Sequence, residues 1–379
     1  MLRSWSTPRE RDLRLIHLVN QAGLDISVAP NGSVFAIAHR SDKEAILVNQ
    51  VRASPVGGGI ARIVLRLRAK GSSTHEVLGP KARVRLGATR DRIVWEGTTR
   101  GIRHRVTLCL VPGKTAWLWH VEATNAAALP VSIDAIFVQD LGLGASAFVT
   151  GNEAYASQYI DHHVAMDTHY GPVVMSRQNL AQAGAHPWVM HGCLEGSDGF
   201  TTDAMQLFGP SYRDADGLRL PFGTRLASRR LQHEVATIAI QSLPNTVQPG
   251  ASRAWRFFAL YEPDHPDASN DGDLKKLRGM SWPRSDAIGI ATVDTRRSIA
   301  QDGSVARVVG IDDVALAKRY PERFLEEFRR GRLLSFFAPD PPHNRHVVLH
   351  AKERLVTRRH GALLRSGRAM LPDASTLCV

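Results

Sequence analysis

Residues 116–123 read AWLWHVEA. Trp117, Trp119, Val121 and Ala123 recur at every second position, and alternate residues of an extended chain share a face. One face of this stretch is therefore apolar from end to end, while the other carries His120 and Glu122. The pattern predicts a strand with its two tryptophans turned into a core. Working outward, residues 104–110 (HRVTLCL) place Val106, Leu108 and Leu110 on one face, and residues 131–138 (VSIDAIFV) and 253–261 (RAWRFFALY) are further β-rich runs. Turn signals separate them at Pro112-Gly113, Asn125, Pro130 and Pro249-Gly250. Asn31-Gly32, between residues 26–28 and 34–37, predicts a two-residue type I′ hairpin, because both residues tolerate positive φ.

These runs predict a mainly β chain built on a large antiparallel β-(super)sandwich. The β unit covers residues 24–265 after an N-terminal extension, 1–23. About 240 residues exceed the roughly 100 of one immunoglobulin-like sandwich, so two many-stranded sheets are expected. Residues 266–310, rich in Asp, Pro, Ser and Gly, read as a linker. Residues 311–331 read as an amphipathic helix, the one helical segment: Asp312 or Asp313 caps it, and Val314, Ala317, Tyr320, Phe324, Leu325 and Phe328 keep three- and four-residue spacing. Pro321 kinks it or opens a second helix, and Gly331 stops it. Residues 332–379 read as the start of a further β segment, a short β-like C-terminal tail.

The 379 residues are 43% apolar and 22% charged, which excludes a disordered chain, a coiled coil or a collagen-like fibre. No run approaches the ~18–20 apolar residues of a transmembrane helix, and the first residues carry no secretory signal pattern. Cys109, Cys193 and Cys378 are too few and too scattered for a disulfide framework, which fits a reducing, cytoplasmic setting. The net charge of +12 first suggests nucleic acid. However, 40 of the 48 basic residues are Arg, a compositional bias, and no run of five basic residues occurs. The excess is also uneven: 13 basic and 6 acidic residues lie between Ala315 and Val379, so +7 belongs to the last 65 positions. No nucleic-acid partner is expected.

Chemistry concentrates between Gln139 and Tyr170 (QDLGLG, then NEAYASQYIDHHVAMDTHY). Here aromatics interleave with planar polar groups, the mixture that covers the C–H faces of a pyranose and fixes its hydroxyls. The candidate substrate-binding residues are Gln139, Asp140, Tyr155, Ser157, Gln158, Tyr159, Asp161 and His162, with Trp188 as an aromatic platform outside the run. The plainer reading is a long polar connection held by its own hydrogen bonds. Asp161-His162-His163 is like the DHH motif of metal phosphoesterases, with His169, His186 and His191 near in sequence, so a His/Asp metal hydrolase is an alternative. The β-rich context speaks against it, and no metal or other cofactor is expected. Gly57–Gly59 and Gly142–Gly144 lack phosphate-loop spacing and read as turns. No GxSxG elbow is present.

Taken in order, TAWLWHVEATN, VQDLGLG, NEAYASQYIDHH, HGCLEGSDGFTTDAMQLFG and WRFFALYEPDH resemble the N-terminal β-rich region of family 94 glycoside phosphorylases. The likeness is greatest to the branch of 1,2-β-oligoglucan phosphorylases and cyclic β-1,2-glucan synthases, and RLLSFF, HVVLHAKERLV and HGALLRSGRAMLPD continue it. The resemblance implies an inverting cleavage of a β-glucosidic bond, with phosphate in the place of a hydrolase's water. It puts the general acid and the phosphate site in an (α/α)6 barrel beyond the β region, so no catalytic residue is carried over. It further implies a β-glucan oligosaccharide as ligand, a homodimer, and a barrel supplied by missing sequence or by a separate chain. The expectation is a truncated or split gene whose product is inactive alone, with a stand-alone sugar-binding module as the other carbohydrate reading.

Overall fold

The computed structural model describes residues 15–284, apart from breaks at 30–31, 42–43, 50–60, 69–70, 80–81, 209–224 and 233–234. Beyond 284 it describes the strand segments 292–293, 308–310, 324–328, 333–338, 345–350, 354–359, 362–365 and 370–372. The chain divides into two units, one within residues 13–298 and the other from 299 onward.

The first unit is the sandwich. The Ala116–Asn125 strand sits inside a nine-stranded antiparallel sheet, between Ile102–Leu110 and Ser252–Glu262. Beyond Ser252–Glu262 the sheet continues through Trp188–Cys193, Gly171–Gln178 and Ile160–Asp167. Beyond Ile102–Leu110 it continues through Arg92–Thr99 and Arg85–Ala88 to Thr292–Val293. A six-stranded sheet faces it, with Val131–Asp140 between Ala61–Arg68 and Ala236–Ser242. A five-stranded sheet is built from residues 16–47 and Gly144–Ala145.

Trp117, Trp119, Val121 and Ala123 join Trp95, Phe137, Trp255 and Phe257 in the main core, as the alternation predicts. Trp119 lies 5.8 Å from Trp95 and 6.1 Å from Phe137, centroid to centroid. At one end of the strand the opposite face is buried too. Ala116 and Leu118 share a second core with Trp188, Met190, Phe258 and Leu260, against which Leu274, Leu277, Met280 and Trp282 pack.

That second core replaces the first part of the linker expected at 266–310; residues 285–291 and 294–307 lie outside the described residues. Residues up to 284 are docked on the sheet, and Asp271–Leu277 form a 3₁₀ helix opened by a capping box: Asn270 Oδ1 accepts the Gly272 N–H, and Asp273 Oδ2 accepts the Asn270 N–H. Thr292–Val293 then pairs with Arg85–Ala88. Nor is helical structure limited to the one segment expected at 311–331, since Ser146–Gly151, Glu153–Gln158 and Ala204–Phe208 are short α-helices. The hairpin at 24–40 closes differently from a two-residue turn. Ala29 N–H donates to Ser33 O and Gly32 N–H to Ala29 O, both 2.8 Å, with Gly32 at φ +84°; Asn31 lies outside the described residues.

In the second unit, Phe324–Phe328 is a strand paired with Leu333–Ala338, where the sequence predicts helix. Pairing with that neighbouring strand outcompetes a short helical period. The remaining positions assigned to that helix, 311–323 and 329–331, lie outside the described residues. Leu333–Ala338, Arg345–His350, Arg354–Arg359 and Ala362–Arg365 complete a five-stranded antiparallel meander. Val308–Gly310 pairs separately with Met370–Pro372.

Candidate functional site

The polar-aromatic run lands on a shoulder where the Glu153–Gln158 helix turns into the Ile160–Asp167 edge strand. Tyr155 and Tyr159 are four apart, so they stand on one side of the helical turn. Their rings meet edge to face at 5.0 Å and their hydroxyls hydrogen-bond, which pushes the Tyr159 phenol up. Tyr155 is 52% exposed, and Gln158 is exposed beside it. Asn179 N–H donates to Tyr159 O at 2.8 Å, tying the turn to the end of the adjacent strand.

Asp161 follows on the outward face. It accepts a hydrogen bond from Gln232 Nε2, and Gln232 Oε1 in turn accepts the His162 N–H at 2.9 Å. Arg230 Nη1 donates to His162 O at 2.9 Å. The shoulder thus presents two tyrosine rings, a carboxylate and an amide held in place by a segment some seventy residues away. Rings that cover apolar sugar faces and planar groups that bind hydroxyls are what a saccharide surface needs.

Other candidates go elsewhere. Strand alternation sends His162 inward and His163 outward. His162 is buried with Nδ1 2.9 Å from Ser176 Oγ, and burial, with Arg230 adding to it, pushes its pKa down to about 3. His163 Nε2 lies 2.7 Å from Asp271 Oδ1 on the outer side. Asp161-His162-His163 therefore does not converge on a point. Among the described residues no three His, Cys, Asp or Glu side chains group as metal ligands would. Gln139 is fully buried inside the sandwich, Asp140 accepts from Thr237 Oγ1 at 2.8 Å, and Ser157 is on the buried side of its own helix.

Trp188 is not an open platform, because the docked segment covers it. Its indole is fully buried, donates to Ser269 Oγ at 2.9 Å and stacks on His265 at 5.0 Å and 13°. Lys276 Nζ lies 5.7 Å from the ring centre and pairs with Glu262 at 2.8 Å.

One feature escaped the sequence reading. A cleft of about 700 Å³ lies on the nine-stranded sheet, lined in part by Arg83, Arg85, Glu96, Arg103, Arg105 and Glu122. Glu96 pairs with Arg105 at 2.9 Å and Arg85 at 3.4 Å across neighbouring strands. The alternation of Arg103 and Arg105 was the available signal, but only the register brings Glu96 opposite Arg105 on one side and Arg85 on the other.

Residues 27–259 match the SOGP N-terminal domain. The chain belongs to that family. Residues 320–377 match the glycoside phosphorylase supersandwich domain, so that description falls on the second unit and not on the SOGP N-terminal domain itself. The 1,2-beta-oligoglucan phosphorylase of Listeria innocua serovar 6a is 26% identical over 368 residues, covering 96% of this chain and 32% of that protein. The chain thus spans about a third of that relative's length. Among solved structures, a polysaccharide lyase matches 94% of this chain and 45% of its own at 9% identity and a TM-score of 0.42. A galactose mutarotase related enzyme from Lactobacillus acidophilus matches 68% of this chain and 100% of its own at 9% identity and a TM-score of 0.35. Both likenesses are too loose to say more about this chain. No helix among the described residues is long and apolar enough to cross a membrane.

Proposed function

We propose that the chain is the carbohydrate-handling β portion of a glycoside phosphorylase acting on β-1,2-glucan. The observation that carries this reading is the ordered likeness to a 1,2-beta-oligoglucan phosphorylase along 96% of the chain, through both matched domains. The Tyr155–Asp161 shoulder is the glucan-contacting surface in this account. Tyr155 covers the C–H face of a glucosyl unit, and Gln158 and Asp161 hold its hydroxyls. The general acid and the phosphate site belong to an (α/α)6 barrel outside these 379 residues, so the chain binds oligosaccharide without cleaving it.

The test is calorimetric titration of the 379-residue chain with β-1,2-gluco-oligosaccharides, beside an assay for glucose 1-phosphate in the presence of phosphate. Binding without phosphorolysis is expected, with at least a tenfold loss of affinity in Tyr155→Ala. Turnover by the chain alone, or no binding at millimolar oligosaccharide, contradicts the proposal.

A further inference from the structure

The interior of the sandwich holds polar side chains that the glucan reading does not use. Gln139 is fully buried, and neither its amide nitrogen nor its amide oxygen has a hydrogen-bond partner among the described residues. The same is true of both ring nitrogens of His191, which is also fully buried, and of Trp117 Nε1 and Tyr261 Oη.

These groups project into the interior from the two facing sheets. His191 and Trp117 flank Ala259 on adjacent strands of the nine-stranded sheet, and their rings lie 6.2 Å apart. Tyr261 is two residues beyond Ala259 and so on the same face. From the six-stranded sheet, the Phe137 ring lies 6.1 Å from His191, and Gln139 is the next residue on that inward face. Small residues sit where room is needed: Ala259 between His191 and Trp117, and Ala61 opposite Gln139 on the neighbouring strand.

Burial, with His162 nearby, pushes the His191 pKa down to about 3, so at neutral pH its ring offers one donor and one acceptor. Gln139 adds two donor hydrogens and an acceptor, Trp117 one donor, and Tyr261 one of each. A dry core cannot carry such a set without cost, because each desolvated polar group needs a partner. Both signs of hydrogen bond are demanded, which suits a small neutral guest with both capacities.

We infer that the sandwich encloses a cluster of bound water between Gln139, His191, Trp117 and Tyr261. At about three hydrogen bonds per buried water, the six unpartnered atoms call for about two or three molecules. Such water makes this wall of the domain a hydrated polar joint between the two sheets.

Water oxygen-17 relaxation dispersion on the full 379-residue chain tests the inference, comparing wild type with Gln139→Leu/His191→Phe. The expected result is a long-lived water signal in wild type that drops by about two molecules in the variant. Gln139→Leu alone is then expected to leave the urea midpoint unchanged or lower it, since a hydrated amide has no unmet need to relieve. Equal signals in the two proteins would overturn the inference. So would a higher midpoint for Gln139→Leu, the mark of a dry orphan removed. If the double variant does not fold, Trp117→Phe serves in its place, with a loss of about one water expected and no loss overturning the inference. A crystal structure of the chain with an organic molecule in this space would overturn it equally.

Discussion

Acid should unfold this domain earlier than its carboxylates alone require, and the buried histidines set the size of the effect. His162 and His191 are both pushed down to about 3, against about 6.5 for an exposed histidine, with burial the main cause for each. Arg230 disfavours the charged form of His162, and His162 that of His191. The native state therefore stays neutral at positions where the unfolded chain takes up protons. The stability they contribute is fully present above about pH 6.5 and is lost as pH falls toward 3. At pH 5 the unfolded form of each is almost fully protonated, and the linkage amounts to about 2 kcal/mol per histidine, or about 4 kcal/mol for the two. That is a large part of the 5–15 kcal/mol typical of a folded domain. His104, pushed down to about 4 by burial, adds in the same direction. Urea unfolding followed by tryptophan fluorescence at pH 7.5 and pH 5 measures the loss. His191→Phe removes one of the titrating groups, so its loss between the two pH values should be smaller by about 2 kcal/mol, whatever its stability at pH 7.5. An identical pH dependence in wild type and His191→Phe would refute the reasoning.

Other perturbations have outcomes fixed by the same structure. Asp134 is fully buried and accepts from Arg66 at 2.7 and 2.8 Å and from Arg68 at 2.7 Å, so Asp134→Ala should cost about 3–5 kcal/mol in urea unfolding, while a double change of Asp134 and Arg66 to leucine and methionine should cost much less. Trp188→Ala removes the ring under the docked segment and should cost about 3–5 kcal/mol, with proteolysis between 266 and 284 speeding up as the segment loosens. Undiminished protection there would mean that the 3₁₀ helix is held without the indole.

Much of the sandwich was legible because its central strands obey period-two alternation without interruption. Trp117, Trp119 and Val121 point inward as the pattern requires, since a one-residue slip would turn all three out of the main core. What the sequence concealed was what covers the other face. Residues 266–284 look like a linker by their Asp, Pro and Ser content, yet Leu274, Leu277, Met280 and Trp282 are enough to dock them. That contact, eighty to a hundred residues away in sequence, is why Trp188 is core rather than platform. The Ser146–Gly151 and Glu153–Gln158 helices are six residues each, too short for a 3.6-residue period to register. Phe324–Phe328 shows the opposite failure: five residues with helical spacing become a strand once Leu333–Ala338 is available to pair. At the candidate site, residue types were readable and directions were not. Adjacent His162 and His163 look like a ligand pair in sequence, and a strand sends them to opposite sides.

The most direct test of the glucan reading is residue-level mapping of binding. Backbone-amide NMR of the 379-residue chain, titrated with a β-1,2-gluco-oligosaccharide, should show saturable shifts centred on Tyr155, Gln158, Tyr159 and Asp161 and reaching Arg230 and Gln232 through their hydrogen bonds, with none at Trp188. Shifts confined to another face of the sandwich, or none at saturating sugar, would contradict it.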